Sequence, residues 1–167
     1  MSLRKRKKNK IPIILDCEAS GLGEDSYPIE IGIAFEDGSI DSFLIKPAPE
    51  WVYWDEQAEQ IHKIKKESLS SGKSTYDAIV YLNSQLLDCK VYSDCVEYET
   101  FWIDRLFAAH GLHRNFEIES LFVLNSFDHS KFSVEKHKQF EKMQNERHRA
   151  GVDAKILQTA YKLSMVN

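Results

Sequence analysis

A chain of 167 residues, 43% hydrophobic and 11% aromatic, can build one packed core and is too short for two. Its net charge of −4 is unevenly spread: residues 1–10 (MSLRKRKKNK) hold six basic residues and no acid, and the remaining 157 carry 16 basic against 26 acidic residues. This composition excludes wholesale disorder, and no apolar run approaches the ~20 residues a bilayer span requires.

Residues 1–10 read as a basic flexible tail, able to hold phosphates by counterion release. Residues 11–167 read as a single domain. Ile11–Cys17 reads as a buried strand, Ser20–Ser26 as a loop and Ile29–Phe35 as a second strand. Glu36-Asp-Gly-Ser39 has hairpin chemistry, and Ile40–Ile45 completes a three-strand meander that stops at Lys46-Pro-Ala-Pro49. Helical spacing follows over Trp54–Ile64 and Ser74–Leu87. A short strand is expected around Val91-Tyr92 and a helix over Tyr98–His110, closed by Gly111. Phe116–Ile118 reads as a fifth strand, Val134–Arg147 as a polar helix and Val152–Leu163 as the last helix. A meander followed by alternating helices and strands predicts an α/β fold, a mixed sheet covered by helices. Three cysteines (Cys17, Cys89, Cys95) without a CxxC pair point to a reducing cytoplasm and away from a disulfide framework or structural zinc. No apolar run of signal-peptide length follows the basic start, so secretion is not expected.

Two groups of residues carry possible chemistry. On the first strand Asp16 and Glu18 share a face, about 6–7 Å apart. Two carboxylates ending an apolar strand are costly unless a cation lies between them, and a divalent metal is the usual solution. A strand that simply ends at Asp16, with both acids in water, is the plainer alternative. Near the C-terminus, Asp153 falls in the first turn of the last helix and leans toward the stripe Val152, Ile156, Ala160, Leu163. It needs a partner there, whether an ion or the helix N-terminus itself. His148, just before Gly151, reads as a loop residue over the same site and a candidate general base.

Together, Ile14-Leu-Asp16-Cys-Glu18-Ala-Ser-Gly21-Leu22, then Ile29-Glu30-Ile31-Gly32, then His148-Arg-Ala-Gly-Val-Asp153 resemble the DEDDh 3′–5′ exonuclease superfamily, the group of ribonuclease T, oligoribonuclease and the proofreading exonucleases. The resemblance spans roughly residues 11–165. It implies a ribonuclease H-like fold with a five-stranded mixed sheet, three strands in a meander and then two parallel ones. The middle motif departs from the family. Matching Tyr98-Glu99-Thr-Phe-Trp102-Ile103 to the family's Phe-Asp-x-x-Phe-Leu puts Glu99 where an Asp is usual, with Asp94 as the rival third carboxylate. A His-Gly-Ile step common in the family is replaced by His62-Lys63-Ile64, where His62 reads as structural. The other histidines (His110, His113, His129, His137) read as surface residues.

The resemblance further implies two Mg²⁺ or Mn²⁺ ions held by Asp16, Glu18, Glu99 and Asp153, with His148 as general base. Four carboxylates supply about −4, which two divalent ions balance. By the same resemblance, Ala19, Gly21 and Leu22 hold the terminal nucleotide. The implied reaction shortens single-stranded DNA or RNA from its 3′ end and releases nucleoside 5′-monophosphates. A homodimer is compatible with the resemblance. The competing expectation is a ribonuclease H-like module, weakly active or inactive because of Glu99, that binds nucleic acid.

Overall fold

The computed structural model describes residues 11–146 and 148–166. The basic tail expected over residues 1–10 lies outside the described residues. Five strands, β1 (Ile13–Ala19), β2 (Pro28–Ala34), β3 (Ile40–Leu44), β4 (Lys90–Ser93) and β5 (Glu117–Ser120), form one sheet in the order β3-β2-β1-β4-β5. β1 and β2 pair antiparallel, as do β2 and β3, whereas β1 with β4 and β4 with β5 run parallel. The helices are α1 (Glu56–His62), α2 (Thr75–Gln85), α3 (Val96–Ala108), α4 (His129–Lys142) and α5 (Ala150–Ser164). This is the expected mixed sheet, meander first and parallel strands after.

The alternation of β1 gives each face of the sheet its own core. Ile13, Leu15 and Cys17 enter one cluster with Ile79, Leu82, Trp102, Ile103 and Leu106 of α2 and α3. Ile14 enters the other with Phe132 of α4 and Ala154, Leu157, Ala160 and Tyr161 of α5. Asp16 and Glu18 follow Ile14 on the α5 side. The hairpin between β2 and β3 forms where Asp37 accepts both the backbone and side-chain donors of Ser39, and Gly38 takes φ +88°.

Helix boundaries differ from the sequence expectation where caps override periodicity. α1 starts after Asp55, whose side chain accepts the Gln57 N–H, and stops at Lys63 in the left-handed region. α4 starts five residues earlier than its apolar spacing suggests, because Asp128 caps it by accepting the Lys131 N–H at 2.8 Å. α3 begins at Val96 rather than Tyr98, which places Glu99 in its first turn. Two short 3₁₀ segments, Lys66–Ser71 and Leu121–Val123, have no periodic signal to announce them. Among the described residues, no helix is long and apolar enough to cross a membrane.

One close approach positions α5. Gly32 of β2 lies opposite Asp16 in register, and a Cβ there would come within 2.1 Å of the Ala150 carbonyl carbon and 2.2 Å of the Gly151 nitrogen. Only a glycine lets the first turn of α5 settle on the sheet at this point. That contact brings Asp153 down toward the end of β1.

Candidate active site

β1 and β4 are adjacent and parallel, but the chain leaves them in different directions, toward β2 and toward α3. A crevice at the carboxyl end of strands that part in this way is a common ligand position in α/β sheets. Asp16 and Glu18 come from β1, Asp94 follows β4, Glu99 is in α3, and Asp153 with the preceding His148 comes from α5.

The α5 side is tightly drawn together. One ligand-capable atom each from Glu18, His148 and Asp153 lies within 4.8 Å of the others, the spacing of groups that can share a cation. Asp153 is 9% exposed, so it does lean inward, while His148 and Glu18 are half-buried. The His148 backbone N–H donates to both oxygens of Asp153, at 3.2 and 3.1 Å. His148 lies outside the helix, as expected, with φ +61°.

On the α3 side Glu99 is 3% exposed, and its Oε2 has no hydrogen-bond partner among the described residues. Its carboxylate lies against the amide and thiol of Cys17, which favour its charged form. Burial outweighs them and pushes Glu99 up. The rival Asp94 is half-buried and ion-paired with Lys136 of α4. Asp94 is close enough to raise both Asp16 and Glu99, so it borders the cluster while its own charge is already matched.

Repulsion and desolvation dominate the electrostatics. Burial first, and then Glu99, Glu18, Asp153 and Asp94 in that order, hold the Asp16 carboxyl well above the usual carboxylate range. Glu18 is pushed up to about 8 by burial, Asp153 and Glu30, partly offset by Arg149. Among the described residues, two cations bordering the cluster are engaged: Arg149 with Glu30 and Lys136 with Asp94. An orphaned buried acceptor on Glu99, acids that resist ionising together and a Glu–His–Asp group within ligand distance fit a divalent metal centre.

Beside Glu18 opens a pocket of about 240 Å³, whose walls include Ala19, Gly21, Leu22, Ile61, His62 and Trp102. Leu22 stands at its rim, 68% exposed. Gly21 is tightly packed: a Cβ would lie 2.7 Å from the Tyr53 ring. The Trp102 indole N–H donates to Ser26 Oγ at 2.9 Å, which fixes that wall to the β1–β2 loop. His62 is buried, with Nδ1 accepting the Ile64 N–H at 3.0 Å; it also lines the pocket, beyond the structural part expected of it. The remaining four histidines are exposed, as expected.

No protein-family model matches the sequence, and no curated protein matches it. Solved structures do. Exonuclease I of E. coli in complex with a dA16 oligonucleotide superposes with a TM-score of 0.68 at 12% identity, covering 90% of this chain and 40% of that one. Its complex with a 5cy-dT13 oligonucleotide gives 0.66 at 13% identity, over 90% of this chain and 39% of that one. A product-bound exonuclease I gives 0.60 at 13% identity, over 91% of this chain and 43% of that one. The chain therefore shares the ribonuclease H-like fold of these structures, a five-stranded mixed sheet flanked by helices. The chain spans about two fifths of the length of these neighbours.

Two features of the site carry weaker signals in the sequence. Glu30 stands opposite Glu18 in register, fully buried, and belongs to the site although the motif reading gives it no task. Its signal is a lone carboxylate inside the apolar run Pro28–Ala34. The contact of Cys17 with Glu99 has no local signal, because the two residues meet only through the docking of α3 on β1.

Proposed function

We propose that this protein is a metal-dependent 3′–5′ exonuclease acting on single-stranded DNA or RNA. The observation that carries the reading is the convergence of Asp16, Glu18, Glu99, Asp153 and His148 at one end of β1, in a fold shared with exonuclease I. The four carboxylates would hold two Mg²⁺ or Mn²⁺ ions, which supply Lewis acidity for the attacking water and the departing 3′ oxygen. Glu99 rather than Asp94 serves as the third carboxylate, because its buried Oε2 has no hydrogen-bond partner among the described residues, whereas Asp94 is taken by Lys136.

The terminal nucleoside occupies the pocket beside Glu18, its sugar against the Ala19–Gly21 turn and its base against Leu22. A pocket of that volume admits one nucleoside, which favours a chain end over an internal position. His148 takes the proton of the attacking water. The new P–O bond forms as the P–O3′ bond breaks, the departing 3′ oxygen is protonated, and a nucleoside 5′-monophosphate leaves. The pairing of Glu30 with Arg149 keeps a fifth carboxylate beside the cluster without adding to its repulsion of a phosphodiester.

The test is digestion of 5′-labelled single-stranded DNA and RNA with Mn²⁺, Mg²⁺ or EDTA, beside His148→Ala. The expected result is a ladder shortening from the 3′ end, absent in EDTA and weakened about 10²–10⁴-fold in the variant. The two substrates rank themselves in the same gel. Intact strands in every lane, from folded protein, would favour a nucleic-acid-binding module in which Glu99 no longer supports turnover.

A further inference from the structure

We propose that Glu30 is a positioning residue of this site, acting through Arg149 on His148. The inference rests on the exonuclease reading above. Glu30 is the only charged residue of β2, is 2% exposed and lies directly across from Glu18. Its carboxylate accepts four hydrogen bonds. Arg149 Nε donates at 3.2 and 3.0 Å, Arg149 Nη2 at 2.6 Å, and the Ala150 backbone N–H at 3.0 Å. Arg149 is the N-cap of α5 and has no side-chain cap bond of its own, so Glu30 caps the helix from a neighbouring strand.

His148 is the residue this arrangement controls. A non-glycine residue at φ +61° sits in the left-handed region, an unfavourable conformation that persists only where the surroundings impose it. The chain is held on both sides of the bend. The His148 N–H is fixed to Asp153, and the next two residues are fixed to Glu30. Those anchors fix the direction in which His148 leaves the backbone, and so present its imidazole to the Glu18–Asp153 group. The rest of α5 does not depend on the anchor, because Ala154, Leu157, Ala160 and Tyr161 pack independently into the core. Loss of Glu30 therefore frees one bend and leaves the helix in place. The planar fork of Arg149 matches the carboxylate with two parallel bonds, a geometry lysine cannot copy.

The measurement is kcat and KM on a 5′-labelled oligonucleotide with Mn²⁺ for the wild type and for Glu30→Gln, Glu30→Ala, Arg149→Lys, His148→Ala and the double variant His148→Ala/Glu30→Ala. Glu30→Ala is expected to lower kcat about 10²-fold with little change in KM, the size of effect a misplaced catalytic group produces. Glu30→Gln keeps the side-chain shape and one of the two acceptor oxygens, the other becoming an NH2 donor, and should recover about tenfold of that loss. The double variant should match His148→Ala alone, because a residue acting through His148 has nothing left to position. Losses that multiply in the double variant, or a folded Glu30→Ala with wild-type kcat, would overturn the proposal. Should Glu30→Ala not fold, Glu30→Gln and Arg149→Lys carry the same comparison. A wild type that cleaves no strand overturns the exonuclease reading instead. Mn²⁺ binding followed by electron paramagnetic resonance then decides: about tenfold weaker binding in Glu30→Gln supports a positioning role at the Glu18–His148–Asp153 group, and unchanged binding overturns it.

Discussion

The two sides of the acidic cluster are built by different means. On the α5 side, Asp153 accepts the His148 backbone, Glu30 accepts Arg149 and Ala150, and Gly32 lets the helix rest on the sheet. On the α3 side, Glu99 is buried with one oxygen unpartnered among the described residues, against a thiol and an amide of Cys17. A buried acceptor left without a donor costs about 1–3 kcal/mol. The α5 side is organised by the protein's own hydrogen bonds, whereas the α3 side keeps a buried acceptor that those bonds do not reach. The comparison teaches that both sides carry carboxyls raised by burial and repulsion, but only the α5 side has its geometry fixed by hydrogen bonds; under the proposed function a cation would complete the α3 side.

Asp16 belongs to both sides, since Glu99, Glu18 and Asp153 all raise it. Its loss should break the comparison most completely. Asp16→Asn is expected to lower turnover by about 10³-fold, within the range that removal of metal-assisted and acid–base catalysis spans. Mn²⁺ is expected to raise the Tm of the wild type, because a ligand that binds the native state stabilises it, and Asp16→Asn should abolish that rise. In EDTA the same variant should melt higher than the wild type, since one repelling charge is gone. Differential scanning calorimetry with and without Mn²⁺ reads both signs. An Asp16→Asn protein that keeps the Mn²⁺ effect would mean that the two sides bind metal independently.

Glu99 gives a smaller and more selective effect. Glu99→Gln should cost about 10²-fold in activity, and Glu99→Asp about tenfold, because shortening the side chain withdraws it from Cys17 by one methylene. Steady-state rates against Mn²⁺ concentration check this, and the half-saturating concentration should rise in both variants. A gain of activity in Glu99→Asp would reverse the interpretation. It would show that the extra methylene weakens the α3 side and that its orphaned oxygen is a defect of fit.

The two sides were unequally legible in the sequence. The residues of the α5 side announce themselves: Asp-x-Glu on a strand, and a histidine five positions before an inward aspartate, are local patterns with fixed spacing. The meander was readable for the same reason, since strand alternation and the Asp37-Gly38 turn are short-range signals. Glu99 could be named only by matching a motif it departs from, because its place depends on how α3 docks on β1. Glu30 was visible as an oddity, a carboxylate in an apolar strand, but its partner stands 119 residues away. The start of α4 differs from its apolar spacing because one capping aspartate decides it, and its single buried residue, Phe132, leaves that spacing almost mute. Local period and spacing reached the strands and the first acids; residues joined by tertiary docking stayed hidden.

The smallest expected effect is the dependence of stability on pH, and it distinguishes an acid cluster from a metal site. Burial and mutual repulsion raise the Asp16, Glu18 and Glu99 carboxyls in the metal-free protein, Glu18 to about 8 from an ordinary value of 4.5. Raised carboxyls bind more protons folded than unfolded, so the stability of unfolding falls as pH rises. The favourable contribution is complete below about 4.5 and is lost progressively as pH climbs through about 8. Protein in EDTA should therefore lose several degrees of Tm between pH 5 and pH 8, in the opposite direction from carboxylates held in salt bridges. Saturating Mn²⁺ should flatten or invert that slope, because a cation replaces the protons as the partner of the ionised acids. Glu18→Gln should reduce the EDTA slope without removing it, since Asp16 and Glu99 continue to titrate. A flat profile in EDTA would mean that the acids are already matched within the protein, and the α3 side would then have no charge waiting for a metal.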